Sequence, residues 1–311
     1  MYVFPVINII LGLLLAPLMI GVINRTKAIF GGRHGQPLLQ PYYDIFKLFS
    51  KAAVYSTTTS WVFRAGPIVG IAVTIVALLI IPMGGSAGIL SFSGDFILLA
   101  YLFGMMRFLT VLAALDTGSP FEGMGASREV TFSALAEPAL LLGLAALAIL
   151  SDNMSLAGIF NGLPLETFLA PGGMSIMLVL ASFAIVFLVE NCRIPFDDPT
   201  THLELTMIHE VMVLDHSGPD LAFIEYSAAL KMWVLGLILT GIVTPITGTA
   251  NPLILTGISI AVLFGIAIAV GVVESVMARL KLPSVPLLLV SATVLSLLAI
   301  ALSTFTNGMQ I

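Results

Sequence analysis

The sequence holds one cysteine, Cys192, in 311 residues. A lone thiol closes no disulfide within the chain and cannot by itself hold an iron–sulfur cluster or a structural zinc. Charge is equally scarce: Asp, Glu, Lys and Arg make up 9% of the residues, where a soluble domain carries about 25%. That is too little to cover a water-facing surface, which excludes an ordinary globular enzyme and a disordered chain. Seventeen acids against twelve bases leave a net charge of −5, which argues against a nucleic-acid partner. There is no phosphate-binding glycine loop, no HExxH and no nucleophile–histidine arrangement. His202, His209 and His216 recur every seven residues. On a helix that spacing is about 10.5 Å, too far for two of them to share an ion. No metal, cofactor or catalytic residue is therefore expected on this chain.

What is present is apolar: 59% of the residues are hydrophobic and the mean hydropathy is +1.10. A span of hydrocarbon needs about 20 such residues in a row. Eight runs qualify, near 3–23, 65–82, 96–115, 131–150, 173–191, 225–246, 254–275 and 284–303. The expected fold is all-α, a polytopic membrane protein whose residues 1–311 form a single membrane domain. The first run has no positive segment before it and no clean cleavage site after it, so it reads as a span and not as a signal peptide.

The bases set the topology. Arg25, Lys27, Arg33, Lys47, Lys51 and Arg64 follow the first run, Arg128 precedes the fourth, Arg193 follows the fifth, and Arg279 and Lys281 separate the last two. Ten of the twelve bases thus fall in alternate loops, and the loops between hold none. By the positive-inside rule, loops 24–64, 116–130, 192–224 and 276–283 are cytoplasmic and both termini lie outside a cell (inner) membrane.

The acids are as lopsided. Only Asp95, Asp152 and Glu166 belong to the outer side; the other fourteen lie in inner loops or inner halves of spans. Glu137 sits about two turns into its span, Glu190, Glu225 and Glu274 lie near inner ends, and Arg107 and Lys231 are inside spans. An ionisable group within a span costs roughly 2.5–3.5 kcal/mol to insert, so several at one depth imply a polar vestibule entered from the cytoplasm. Glu190, Glu225 and Glu274 taken singly are also compatible with snorkelling to water, and Arg107 with Glu137 could form a structural ion pair.

Two loops carry further signals. In LLQPYYDIFKLFSK, Leu38, Tyr42, Ile45, Phe46 and Phe49 share one helical face and Asp44, Lys47 and Lys51 the other, the pattern of an amphipathic interfacial helix. It is either an anchor or one wall of a cavity opening into lipid. The turn-forming GGRHGQP before it, with Arg33 and His34, could meet a cytoplasmic partner. In the longest inner loop, Asp198 before Pro199 reads as an N-cap and first helical residue. A helix from there would carry His202, Glu204, His209 and Glu210. From Glu190 through Glu225, both included, there are eight acids and one arginine, a crowding that should raise some carboxylate pKa values.

The segment RIPFDDPTTHLELTMIHE, followed by DHSG and EYSAALK, resembles the quinone-site membrane subunit of respiratory complex I. It is most similar to the branch in energy-converting [NiFe] hydrogenases, formate hydrogenlyase and hydrogenase-4. DTGSPFEGMGASREVTFSALAEPALLLGL, RHGQPLLQPYYDIFKLFSK and ESVMARLKLP support the same branch, and the match spans nearly the whole chain. The resemblance implies a subunit that seats a peripheral redox arm and passes protons through buried carboxylates to antiporter-like subunits. By motif, Glu129 and Glu137 resemble members of that acidic line, and Glu225 and Glu274 less closely so. Asp197, Asp198, Glu204 and Glu210 resemble the acidic loop below it, and Arg193 the arginine that opens the loop.

The expected partners are a nickel–iron large subunit and iron–sulfur small subunits, which would hold the nickel–iron and iron–sulfur centres, together with antiporter-like membrane subunits. The expected proton-coupling set is Arg107, Glu129, Glu137, Glu190, Glu204, Glu210, Glu225, Lys231 and Glu274. The expected interface to the redox arm is Arg33, His34, Arg193, Asp197, Asp198, His202 and His209. A quinone-binding subunit is one alternative, although DDPTTHLEL departs from the glutamate-rich quinone-type loop. A stand-alone secondary transporter is another, but no matched pair of broken spans marks a midplane site.

Overall fold

The computed structural model describes residues 3–169, 172–197, 207–248 and 251–308. Regular structure among them is helical: α1 (Val3–Phe30), α2 (Gln40–Phe49), α3 (Trp61–Ile80), α4 (Asp95–Asp116), α5 (Pro120–Ser151), α6 (Leu156–Asn161), α7 (Leu165–Leu169), α8 (Gly172–Glu190), α9 (His209–Met212), α10 (Pro219–Val243), α11 (Pro252–Val276) and α12 (Val285–Gly308). Eight of these (α1, α3, α4, α5, α8, α10, α11 and α12) are long and apolar enough to cross a membrane. The chain is a multi-pass membrane protein. Its bundle has a basic end, where Lys27, Arg64, Arg193 and Arg279 cluster, and an opposite end where α1 begins.

Most boundaries fall within a few residues of those expected, with two informative differences. The expected loop 116–130 shrinks to 117–119, because α5 starts at Pro120. Proline in the first turn gives up an N–H that has no intrahelical partner anyway, so Arg128 and Glu129 ride on a helix. Asp198, His202 and Glu204 lie outside the described residues. The continuous helix expected to carry His209 and Glu210 does not reach them: Met207 and Ile208 are not helical, and α9 is a single turn. The buried Asp197 carboxylate accepts the N–H groups of Ile208 (3.0 Å) and His209 (3.2 Å) and fixes the chain there.

α10 is the most buried spanning helix and packs against α1, α2, α3, α8 and α11. Trp233 is fully enclosed at its centre. Pro17 inside α1 has no N–H for the Leu13 carbonyl. The Tyr226 hydroxyl of α10 donates to that freed oxygen at 2.7 Å, locking the two helices together. α5, α8 and α12 form a second packed group. Small polar residues join it where backbones approach closely: the Ser182 hydroxyl donates to the Ala292 carbonyl at 2.9 Å, and that of Ser296 to Ala139 at 2.8 Å. Leu253, Ile268, Val276 and Leu287 are exposed on the outer helices, the surface a lipid solvent demands.

Candidate functional site

The site begins where α8 stops. Cys192 holds a left-handed φ of 50°. Its N–H bonds the Val189 carbonyl at 3.0 Å, and the Arg193 N–H reaches back to Leu188 at 2.9 Å. This is the glycine-type helix stop made without glycine. It leaves Glu190 on the last turn, facing into the bundle, and sends Arg193 sideways toward α11.

Arg107 of α4 is the hub. Its Nη2 lies 2.6 Å from Oε1 and 2.7 Å from Oε2 of Glu190. Its Nη1 pairs with Glu137, and its Nε lies 3.4 Å from Glu129 Oε1. Lys231 of α10 closes on the far side of Glu190, 2.8 Å from Oε2. Four spanning helices thus meet through five charged side chains. Three carboxylates against two cations leave one formal negative charge. Glu190 and Arg107 are enclosed, whereas the Glu137 side chain is 42% exposed. Glu137 emerges between α4 and α5, beside Gly104, on a face that also exposes Tyr101, Met105, Phe108 and Val130.

Two further acids, Glu274 and Asp197, make three ion pairs beside the hub. The Glu274 side chain of α11 is fully buried, 2.8 Å from Lys27 Nζ and 3.5 Å from Arg193 Nη1. Asp197 pairs with Arg279 at 2.9 Å, and the Leu280 N–H donates to the Pro195 carbonyl at 2.8 Å. The loop after α8 is thereby tied to the α11–α12 connection. Arg128 holds its other side, donating to the Met207 carbonyl at 2.8 Å. Gly125 of α5 makes room for α9, since a side chain there would strike Val211 and the Ile208 carbonyl.

A cavity of about 90 Å³ opens between the hub and this loop, with Arg107, Glu129, Glu190, Cys192, His209 and Lys231 among its lining residues. Burial, reinforced by the nearby Glu129 carboxylate, pushes the Cys192 thiol well up and keeps it protonated. A ring stack closes the neighbouring corner: His216 lies parallel to Phe63 with centroids 3.9 Å apart. Burial pushes the His216 imidazole down to about 4 against the pull of Asp220 and Asp215.

Of the expected coupling set, Arg107, Glu129, Glu137, Glu190 and Lys231 come together. Glu190 and Glu274 do not snorkel, and Arg107 with Glu137 forms one arm of a larger network. Glu274 belongs to the separate pair with Lys27 and Arg193. Glu225 is exposed and Glu210 half-buried; neither joins an ion pair among the described residues. Arg33 and His34 are exposed, with Arg25 donating to the His34 carbonyl. His209, placed by sequence at a partner interface, lines the cavity. α2 supplies no lining residue to that cavity; it packs on α1 and α10, with Phe49 edge-on to Phe223 at 5.3 Å. Sequence reasoning missed Lys27 and Arg279 as partners, because each pairs with an acid remote in the chain. It also missed that three acids, Asp95, Glu122 and Asp220, are buried.

The family described as NADH dehydrogenase matches residues 3–305. Formate hydrogenlyase subunit 4 of Escherichia coli (strain K12) is 34% identical over 292 residues, covering 91% of this chain and 92% of its own. Hydrogenase-4 component C of the same organism is 33% identical, covering 78% and 75%. A subunit of the NADH-quinone oxidoreductase of Verminephrobacter eiseniae (strain EF01-2) is 25% identical, covering 76% and 71%. A chain in the structure of the membrane-bound sulfane sulfur reductase, an archaeal respiratory membrane complex, shares the fold with a TM-score of 0.79 at 22% identity, over 97% of this chain and 99% of that one.

Proposed function

The chain belongs to the NADH dehydrogenase family of membrane subunits, and on that premise we propose that it anchors the electron-transfer arm of a hydrogenase-type complex and couples it to proton movement. One observation carries the reading: the Arg107 hub holds one carboxylate more than its two cations neutralise, around an enclosed Arg107–Glu190 centre. An excess negative charge in low dielectric is expensive, and a proton is the smallest charge that completes it.

The geometry supports a direction. The hub opens toward the basic end through the cavity and sideways through Glu137. Under the positive-inside rule the basic end is cytoplasmic and both termini lie outside a cell membrane. The loop bearing Arg193, Asp197 and His209 would face the redox arm, with the exposed Arg33 and His34 beside it. The nickel–iron and iron–sulfur centres would sit in that arm. A push on the loop reaches the hub along Cys192 and Glu190 and changes which cations face the carboxylates. Glu137, half-exposed on an otherwise apolar face, is placed to hand its proton to an antiporter-like membrane subunit.

Glu137→Gln in the complete complex tests this. The expected result is normal assembly and redox turnover, with proton translocation per electron lost. Normal translocation by an assembled Glu137→Gln complex would overturn it.

A further inference from the structure

A second cavity lies at the opposite end of the bundle, outside the site described above. Its volume is about 190 Å³, roughly twice that of the hub cavity. Its polar lining residues are Asn161, Thr240, Thr244 and Ser259, beside the backbone of Gly84 and Gly85. No Asp, Glu, Lys or Arg lines it. Asn161 on its rim is exposed, whereas Thr240 is 1% exposed.

Thr240 breaks the habit of its neighbours. A helical Ser or Thr ordinarily returns its hydroxyl to the carbonyl one turn back. Thr26 does so to Val22 at 2.9 Å, Thr110 to Met106 at 3.0 Å and Ser259 to Leu255 at 2.8 Å. The Thr240 Oγ1 is buried and has no partner among the described residues. A buried hydroxyl is costly without a partner, so this one calls for a partner inside the cavity.

The chemistry of the walls selects an uncharged, hydrogen-bonding occupant. A space of ~10–15 Å³ already admits one water where two or more polar groups converge, so this one has room for a cluster. Inward from Thr240, α10 presents Ile238, Leu237, Leu235 and the enclosed Trp233 before Lys231. Leu237 still lines the outer cavity and Met232 the hub cavity, and the buried Trp233 indole N–H between them is the one polar group on this stretch of side chains. Nine residues at ~1.5 Å each separate the two polar positions by about 13.5 Å.

We infer that this cavity is a vestibule filled with water from the end of the bundle where α1 begins, reaching Thr240 and sealed from the Lys231 hub by the apolar segment of α10. This inference does not depend on the coupling reading, because its test involves no turnover. The complete complex bearing Thr240→Cys is treated, in closed membranes of each orientation, with a hydrophilic membrane-impermeant thiol reagent. Mapping the labelled peptide separates residue 240 from the native Cys192.

Thr240→Cys is expected to react at least about tenfold faster than Leu235→Cys, and only from the face where α1 begins. Thr244→Cys, one turn nearer the rim, is expected to react at least as fast, and it decides the question in the same way if Thr240→Cys does not assemble. Reaction no faster than at Leu235→Cys overturns the inference. So does labelling from the basic face, or labelling by a lipid-soluble maleimide alone, which would mean a pocket filled by hydrocarbon.

Discussion

Arg107 and Glu190 meet through both carboxylate oxygens, at 2.6 Å and 2.7 Å from one guanidinium nitrogen. Lys231 closes on the same carboxylate at 2.8 Å. Removing one partner from an enclosed pair leaves an uncompensated charge, at a cost of about 3–5 kcal/mol. Glu190→Gln takes from Lys231 its carboxylate partner in the hub and from Arg107 the partner it meets through both oxygens, leaving Arg107 with Glu129 and Glu137. It is expected to lower the thermal unfolding midpoint of the purified complex sharply. Glu129→Gln, which loses only the looser 3.4 Å contact to Nε, is expected to shift it much less. Differential scanning calorimetry on the two variants checks the order.

Lys27 and Glu274 form a pair whose acid has no exposed side-chain surface. Lys27→Met should destabilise by about 3–5 kcal/mol, whereas replacing both charges with apolar residues of similar volume is often neutral. The double variant Lys27→Met with Glu274→Leu is expected to recover most of the lost stability, less what Arg193 loses. A thermal-shift cycle of the two singles and the double measures the coupling.

His216, stacked on Phe63, gives the acid side of the stability curve. Its folded pKa of about 4 lies below the ordinary 6.5. The neutral ring is therefore fully tolerated above pH 6.5. As pH falls from 6.5 toward 4, the unfolded chain takes up a proton that the folded chain refuses, and stability declines until both forms are charged. The slope is that of one proton, and the whole decline is at most about 3 kcal/mol. His216→Phe is expected to flatten the decline between pH 6.5 and 5, read from unfolding midpoints.

Asp95, fully buried at the opposite end, accepts the Leu156 N–H at 2.7 Å and the Ser91 hydroxyl at 3.3 Å. It acts as a cap supplied from another helix to the first turn of α6. Loss of such a cap costs about 0.5–2 kcal/mol. Asp95→Ala is expected to speed amide hydrogen exchange across 156–161, while Asp95→Asn, which keeps an acceptor, changes it less. Exchange mass spectrometry on that peptide separates the two.

The spans were legible because hydrocarbon imposes a length and a composition that any eight runs must show. The hub was half legible. The depth of Arg107 and Glu137 in apolar runs demanded partners, and Glu190 and Lys231 lay at similar depth. What periodicity could not supply was which helices touch. Lys27 and Glu274 stand at opposite ends of the sequence, and only the α1–α11 packing makes them neighbours. The single turn at His209 was hidden for a related reason. Its end is set by Asp197, a carboxylate that reaches across a non-helical connection, and no local propensity encodes that reach.

The apolar stretch of α10 between Lys231 and Thr240 has an electrical consequence. With water in the inferred vestibule above it and a charged cavity below, the membrane voltage would fall across no more than ~13 Å of helix instead of the ~30 Å of hydrocarbon around it. The field there would be at least about doubled. A single elementary charge carried past Trp233 would experience the whole potential, ~2.3 kcal/mol per 100 mV, within little more than two turns of one helix.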